Sequence, residues 1–330
     1  MISEPVLKLA GYLISIIFLY LAFKDTNINL IFQNLDYINF YYIFIIVLLT
    51  VIFYLIRSLY QQNNLKYVNP KLSFSISLQA IVLTYFYNNI LPARLGEIVR
   101  AFYLSKKEEA RKASILSYIL IEKIIDVVFI FSILFIIIMI ETNSIEIINR
   151  VKILPLLLFF LILLISIFLY FNHQIANIFK SIVPGKYYSI FSRINSDIHQ
   201  GLNCFRSINQ IIKAIILLLS GWALVISIYY FISIPYIELM ELPSYAFIYF
   251  LVFTSLALTI PSAPAGIGVV HYGLFFSISI LNPDITNTNI DLVAACVIAI
   301  HFYIFIIDII TSGSIIILQK FNRNLKKYYK

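Results

Sequence analysis

Apolar runs about as long as a bilayer is thick recur along this chain, near residues 6–23, 40–60, 114–140, 153–171, 209–232 and 291–318. About 20 residues of helix cross the hydrocarbon core, and only helices or closed barrels can satisfy their own backbone polar groups there. Continuous apolar stretches of this length predict an all-α integral membrane protein with six transmembrane helices. Composition agrees: 61% of the 330 residues are hydrophobic and 12% charged, with a mean hydropathy of +0.93, far from the values of soluble domains. No small-residue cleavage site follows the run that begins at Val6, so it reads as a retained first span, not a signal peptide.

Two further apolar regions, 73–104 and 244–281, are interrupted in the same way. The first contains Asn88, Asn89, Pro92, Arg94, Gly96, Glu97 and Arg100; the second contains Pro261, Pro264, Gly266, Gly268 and His271. Pro92 and Pro264 lie 172 residues apart. The pieces on either side of the second break are too short to cross a bilayer singly. Irregular backbone of this kind is tolerated in a membrane only where protein or a water-filled cavity shields it, so both regions are predicted to be re-entrant hairpins.

Loop charge gives the orientation, because Lys and Arg accumulate on the cytosolic side. Residues 57–71, 100–112, 172–213 and the tail after 319 are rich in them, whereas 24–39, 141–152, 233–243 and 282–290 are poor. The alternation closes only if the first hairpin enters from the cytosol and the second from outside, with both termini cytosolic. Each half, about 1–140 and 153–318, then reads span, span, hairpin, span. Three crossings is an odd number, so the second half is inverted relative to the first, the arrangement on which alternating access is built. In the loop 172–208, Ile190, Ile194, Ile198 and Leu202 recur every four residues. They predict an amphipathic helix lying on the membrane surface or covering the base of the bundle.

The net charge of +8 sits in these loops and in the basic tail 319–330. Topology and anionic headgroups account for it, and no nucleic acid partner is implied. Cys204 and Cys296 have no metal-ligand spacing, and neither a disulfide, a metal nor a cofactor is expected.

Pro92 suits the first turn of a helix, where its missing N–H costs nothing, and Asn89 just upstream is placed to satisfy free amides. Arg94, Glu97 and Arg100 follow at three-residue steps. On a continuous helix they set two cations around one anion, either as a site for a phosphate-bearing headgroup or as a network pinning the hairpin at the interface. Gly266 and Gly268 permit close approach or positive φ, and Pro261 and Pro264 bar regular helix bonding. His271 is a titrating group or a hydrogen-bonded buried histidine. Glu122, Lys123 and Asp126 interrupt the third span, and charges there point into a bundle and pair, with Lys123, Arg94 or Arg100 as partners. His301 and Asp308, seven apart on the last span, are their counterparts in the other half, with gating or charge-balancing roles. Arg57 snorkels at the end of the second span.

Asn88 to Arg100, read as N-x-x-x-P-x-R-x-G-E-x-x-R, resembles the hallmark of the flippase-like transmembrane family typified by the membrane region of lysylphosphatidylglycerol synthases. Glu122-Lys123-Ile124-Ile125-Asp126 looks like that family's E/D-R-x-x-D pattern, with Lys123 in place of Arg. Pro261 to Gly268 looks like its Pro/Gly stretch ending P-G-G-x-G, with Ala265 in place of the first Gly, and His271 stands where the family commonly has an acid. The resemblance implies movement of a lipid or lipid-linked headgroup between leaflets, with the two hairpins meeting at the centre. It implies no lysyl transfer, since these residues include no soluble transferase domain.

The resulting expectation is a non-enzymatic flippase-like protein of the cytoplasmic membrane that binds an anionic headgroup in a central cavity and exposes it alternately to each side. Membrane lipids are its expected partners. The readings beside it are a non-transporting accessory partnered with a lipid-modifying synthase or glycosyltransferase, and a small-solute secondary transporter. A membrane-embedded transferase fits poorly, because the outside loops are short.

Overall fold

A computed structural model describes residues 4–33, 39–66, 72–108, 111–140 and 208–328. The predicted span at 153–171, the amphipathic helix within 172–208, and Cys204 lie outside them. Every element among the described residues is helical: α1 (Glu4–Phe23), α2 (Ile28–Gln33), α3 (Phe40–Leu65), α4 (Phe74–Ile90), α5 (Gly96–Glu108), α6 (Lys112–Ile140), α7 (Ile208–Leu239), α8 (Ala246–Ala257), α9 (Val269–Leu281), α10 (Pro283–Thr288) and α11 (Ile290–Tyr328). Short 3-10 turns, Pro92–Arg94 and Pro264–Gly266, precede α5 and α9.

Helices dominate because the apolar runs leave the backbone no partner but itself. Hydroxyls inside these runs obey the same constraint and fold back onto the preceding turn: Thr50 onto the Ile46 carbonyl (2.8 Å), Thr84 onto Ala80 (2.8 Å) and Ser233 onto Tyr229 (2.6 Å). Four stretches are long and apolar enough to cross a membrane: Phe40–Leu65, Ile208–Leu239, Pro264–Leu281 and Ile290–Lys320. The third includes the second break. Its regular helix, α9, has 13 residues, about 20 Å at the standard rise, and α8 has 12. Helix α6 forms over the predicted third span, although Glu122, Lys123 and Asp126 interrupt its hydropathy.

Two segments read as plain connections contain short helices, α2 and α10. Each is capped by an asparagine whose side-chain oxygen accepts an amide proton: Asn27 from Asn29 (3.0 Å) and Asn282 from Ile285 (3.2 Å). Helix α11 continues to Tyr328, through most of the segment set apart as a tail.

The chain packs as two units. The first comprises Met1–Tyr60, Phe74–Arg100 and Ile215–Lys330; the second comprises Gln61–Ser73 and Ala101–Ala214. In the first, α8 and α9 run against each other, α4 lies on α11, and α1 lies on α9. A methyl group on Gly273 would come within 2.9 Å of the Phe253 carbonyl oxygen and 3.1 Å of Ala257 Cβ, so the α8–α9 crossing depends on that glycine. Its core is aliphatic and aromatic, built on Ile232, Tyr236, Phe250, Ile278, Val297 and Ile300. In the second unit, Gln62 Nε2 donates to the Leu72 carbonyl (2.8 Å) and the Lys112 ammonium lies 4.3 Å from the centre of the Phe102 ring.

The displacement of 172 residues between the prolines extends to the elements around them. Helix α4 begins at Phe74 and α8 at Ala246, and the turns begin at Pro92 and Pro264, each pair 172 apart; α5 and α9 begin at Gly96 and Val269, one residue more.

Candidate functional site

Inside the first unit the two breaks meet. The Ala93 amide donates to the Ser262 carbonyl (2.8 Å), and the Ala263 amide donates to Ser15 Oγ on α1 (2.8 Å). Both turns have the same unusual backbone. Ala93 and Arg94 have φ of 54° and 53°, and Ala265 and Gly266 have φ of 58° and 74°. Left-handed conformation costs a non-glycine residue roughly 1–2 kcal/mol, so three of these four positions hold strain for the sake of the turn.

That strain separates Arg94 from the helix that follows it. Three-residue spacing predicted one face for Arg94, Glu97 and Arg100, and the structure corrects this. Helical register begins only at Gly96, so Glu97 and Arg100 share a face as an i,i+3 ion pair at 3.5 Å, with the Arg100 side chain 1% exposed. Arg94 turns instead to the second break, where Nη1 donates to the Leu258 carbonyl (3.4 Å).

Asn89 departs from its expected role as well. Leu91, not Asn89, is the residue before the Pro92 turn, and no side chain among the described residues caps it. Asn89 lies in the last turn of α4, where its amide returns to the Tyr85 carbonyl (3.0 Å) and donates to Asp308 Oδ2. The other oxygen of Asp308, on α11, accepts from the Tyr54 hydroxyl of α3. Three separate stretches of chain thus converge on one carboxylate. Tyr54 has no signal in the sequence, because one tyrosine among 24 in an apolar chain singles out nothing.

Asn88 is 9% exposed, and neither its Oδ1 nor its Nδ2 has a partner among the described residues. It lies against Gly96, where an added Cβ would come within 2.8 Å of the Asn88 amide nitrogen and would collide with the Thr84 carbonyl. Gly96 therefore lets α5 start directly against α4.

On the second break, Pro264 opens the turn and Gly268, at φ 89°, starts α9. A Cβ on Gly268 would run into the backbone of Ser15. Pro261, by contrast, is exposed. His271 and His301 close a chain of hydrogen bonds here. The Gly268 amide donates to His271 Nδ1 (3.2 Å), His271 Nε2 lies 3.2 Å from His301 Nδ1, and His301 Nε2 lies 3.0 Å from the Ala265 carbonyl oxygen. The two ends of this chain assign the tautomers: Nδ1 of His271 must accept and Nε2 of His301 must donate, so both rings are neutral and carry their proton on Nε2.

His301 and Asp308 therefore serve different clusters, and Asp308 alone faces the first break. In the second unit, Lys123 and Asp126 pair at 4.0 Å and Glu122 is buried. Arg57 is 5% exposed, with its guanidinium 5.4 Å from the centre of the Tyr60 ring. It is buried there rather than reaching outward to an interface.

The model of the lysylphosphatidylglycerol synthase transmembrane region matches residues 8–308, which includes both breaks and every element around them. The chain belongs to that family. It is also 30% identical over 206 residues to a UPF0104 membrane protein of Methanocaldococcus jannaschii, an alignment covering 60% of this chain and 81% of that protein. No solved structure matches it. For this member of the family, then, the sequence hallmark corresponds to a junction of two strained turns with one arginine directed across it and one carboxylate held beside it.

Proposed function

We propose that this chain moves an anionic lipid headgroup across the cytoplasmic membrane by alternating access, with Arg94 as the residue that meets the phosphate. The observation that carries this reading is the junction itself. Two turns of matching backbone, bonded through Ala93 and Ser262, place a half-buried guanidinium between them. The recurrence of α4, turn and α5 as α8, turn and α9 supports an inverted repeat of six spans and two re-entrant hairpins. Loop charge supports cytosolic termini and entry of the hairpins from opposite faces. Arg94 takes precedence over Arg100 because Arg100 is buried and engaged by Glu97. The family's name supports a phosphoglyceride as the class of lipid, and no lysyl transfer is proposed.

The test uses the purified chain in phosphatidylcholine vesicles that contain a trace of phosphatidylglycerol labelled with a fluorophore on its acyl chain. Dithionite should quench nearly all of the fluorescence when wild-type protein is present, and only the outer leaflet's share when Arg94→Ala replaces it. Undiminished transport by an Arg94→Ala protein of wild-type helicity would sink the assignment.

A further inference from the structure

Four bases and three apolar side chains line one corner of the second unit. Lys106 and Lys107 lie in the last turn of α5, Arg111 and Lys112 open α6, and all four are exposed. Phe102, Leu116 and Leu120 beside them are 53%, 44% and 59% exposed. Helical spacing makes one strip of these residues. Phe102 and Lys106 are four apart on α5, and Lys112, Leu116 and Leu120 follow at steps of four on α6, so each set shares a face. The Lys112 ammonium joins the two faces, 4.3 Å from the centre of the Phe102 ring, well within cation–π range. From Lys112, Leu116 lies about 6 Å and Leu120 about 12 Å along the helix at the standard rise. Charge gives way to aromatic and then to aliphatic surface over nearly the depth of one leaflet's hydrocarbon, about 15 Å.

We propose that this corner is a docking surface for anionic phospholipids of the cytosolic leaflet. Headgroup phosphates sit on Lys106, Lys107, Arg111 and Lys112, and acyl chains run along Phe102, Leu116 and Leu120. This surface is separate from the headgroup reading of Arg94 and stands or falls without it.

Charge and polarity together select that occupant. Four bases face two acids, Glu108 and Glu109, within residues 106–112, so the corner is net positive. A second copy of the corner would repel the first, and the chain's own segment 172–213 is basic as well; neither complements it. A soluble polyanion would neutralise the bases but leave Leu116 and Leu120 in water. An anionic lipid offers phosphate and then hydrocarbon in the order in which the strip presents its bases and its leucines. Orientation of the chain in the membrane asks only for bases near the span ends, not for an exposed ring and two leucines in line with them.

Trp222 is the single tryptophan of the chain, so a reporter can be placed on the strip as Leu120→Trp in a Trp222→Phe background. The full chain is reconstituted into bilayers containing phosphatidylglycerol or phosphatidylcholine with dibrominated acyl chains, whose bromines quench tryptophan on contact. Both lipids should quench the reporter, and competition between them should show a preference for phosphatidylglycerol of about fivefold at low salt. The preference should fall close to one at 1 M salt, where the screening length is about 3 Å. Lys106→Gln, Lys107→Gln, Arg111→Gln and Lys112→Gln together should abolish it and leave quenching by phosphatidylcholine unchanged, a sign that fold and depth are intact. The salt comparison keeps all four bases and decides the matter even if that variant fails to fold. Equal affinity for the two lipids at low salt, or a preference that survives either 1 M salt or the four glutamines, overturns the docking surface. A tryptophan that neither lipid quenches also overturns it, since another part of the protein would then cover the strip.

Discussion

The two breaks share a backbone and differ in everything attached to it. Pro92-Ala93-Arg94 and Pro264-Ala265-Gly266 make the same left-handed turn, but the first presents a guanidinium and leads into the Glu97–Arg100 pair, while the second presents carbonyls and is held by two neutral histidines. The lesson is a division of labour: the second break supplies acceptors and rigidity, and the first supplies the charge.

Several substitutions would break or sharpen that contrast. Gly268→Ala should have the largest effect on stability, because it meets both a left-handed φ and the backbone of Ser15; a loss of several kcal/mol is expected, seen as aggregation or a steep fall in thermal midpoint in detergent. If the variant unfolds like wild type, α1 does not lie against the second break. His301→Phe should come next. It strands the Ala265 carbonyl and the proton on His271 Nε2, for a cost of about 2–4 kcal/mol, while Arg94-dependent binding of dihexanoyl-phosphatidylglycerol persists in the protein that folds. Loss of binding at full stability would put the histidine pair in the binding site instead.

Asn88→Leu separates stability from function on the first break. Burying an apolar group in place of an amide that has no partner among the described residues should raise the unfolding free energy by roughly 1 kcal/mol while lowering affinity for the same lipid, if the amide faces the headgroup. Unchanged affinity would assign Asn88 to packing alone. Smallest are Ala93→Gly and Ala265→Gly, which relieve left-handed alanines but loosen the unfolded chain. Each should change stability by less than about 1 kcal/mol, and by the same amount if the turns are truly matched.

Much of the frame is legible from residue order. Apolar length predicts α3, α7 and α11, and the Pro/Gly stretches mark where both breaks fall. The junction itself is not legible, since nothing local relates Ala93 to Ser262 or Tyr54 to Asp308. The misplacement of Arg94 has a specific cause. Three-residue spacing means a shared face only where φ and ψ stay helical, and the left-handed pair at Ala93 and Arg94 interrupts that register just before Gly96. Asn89 is misread for a related reason: one residue beyond α4 it would be free to cap, but inside its last turn it is held on the face toward α11.

The sequence by itself determined that this is a helical membrane protein of the lysylphosphatidylglycerol synthase transmembrane family with two breaks of the same kind, because hydrophobic length and proline chemistry act locally. Only the tertiary structure decided that the breaks bond to each other, that Arg94 leaves Glu97 and Arg100 for the second break, and that Asp308 rather than His301 accepts from Asn89 at the first. Those outcomes depend on which helices pack side by side, and helix packing is set by contacts between residues far apart in the chain.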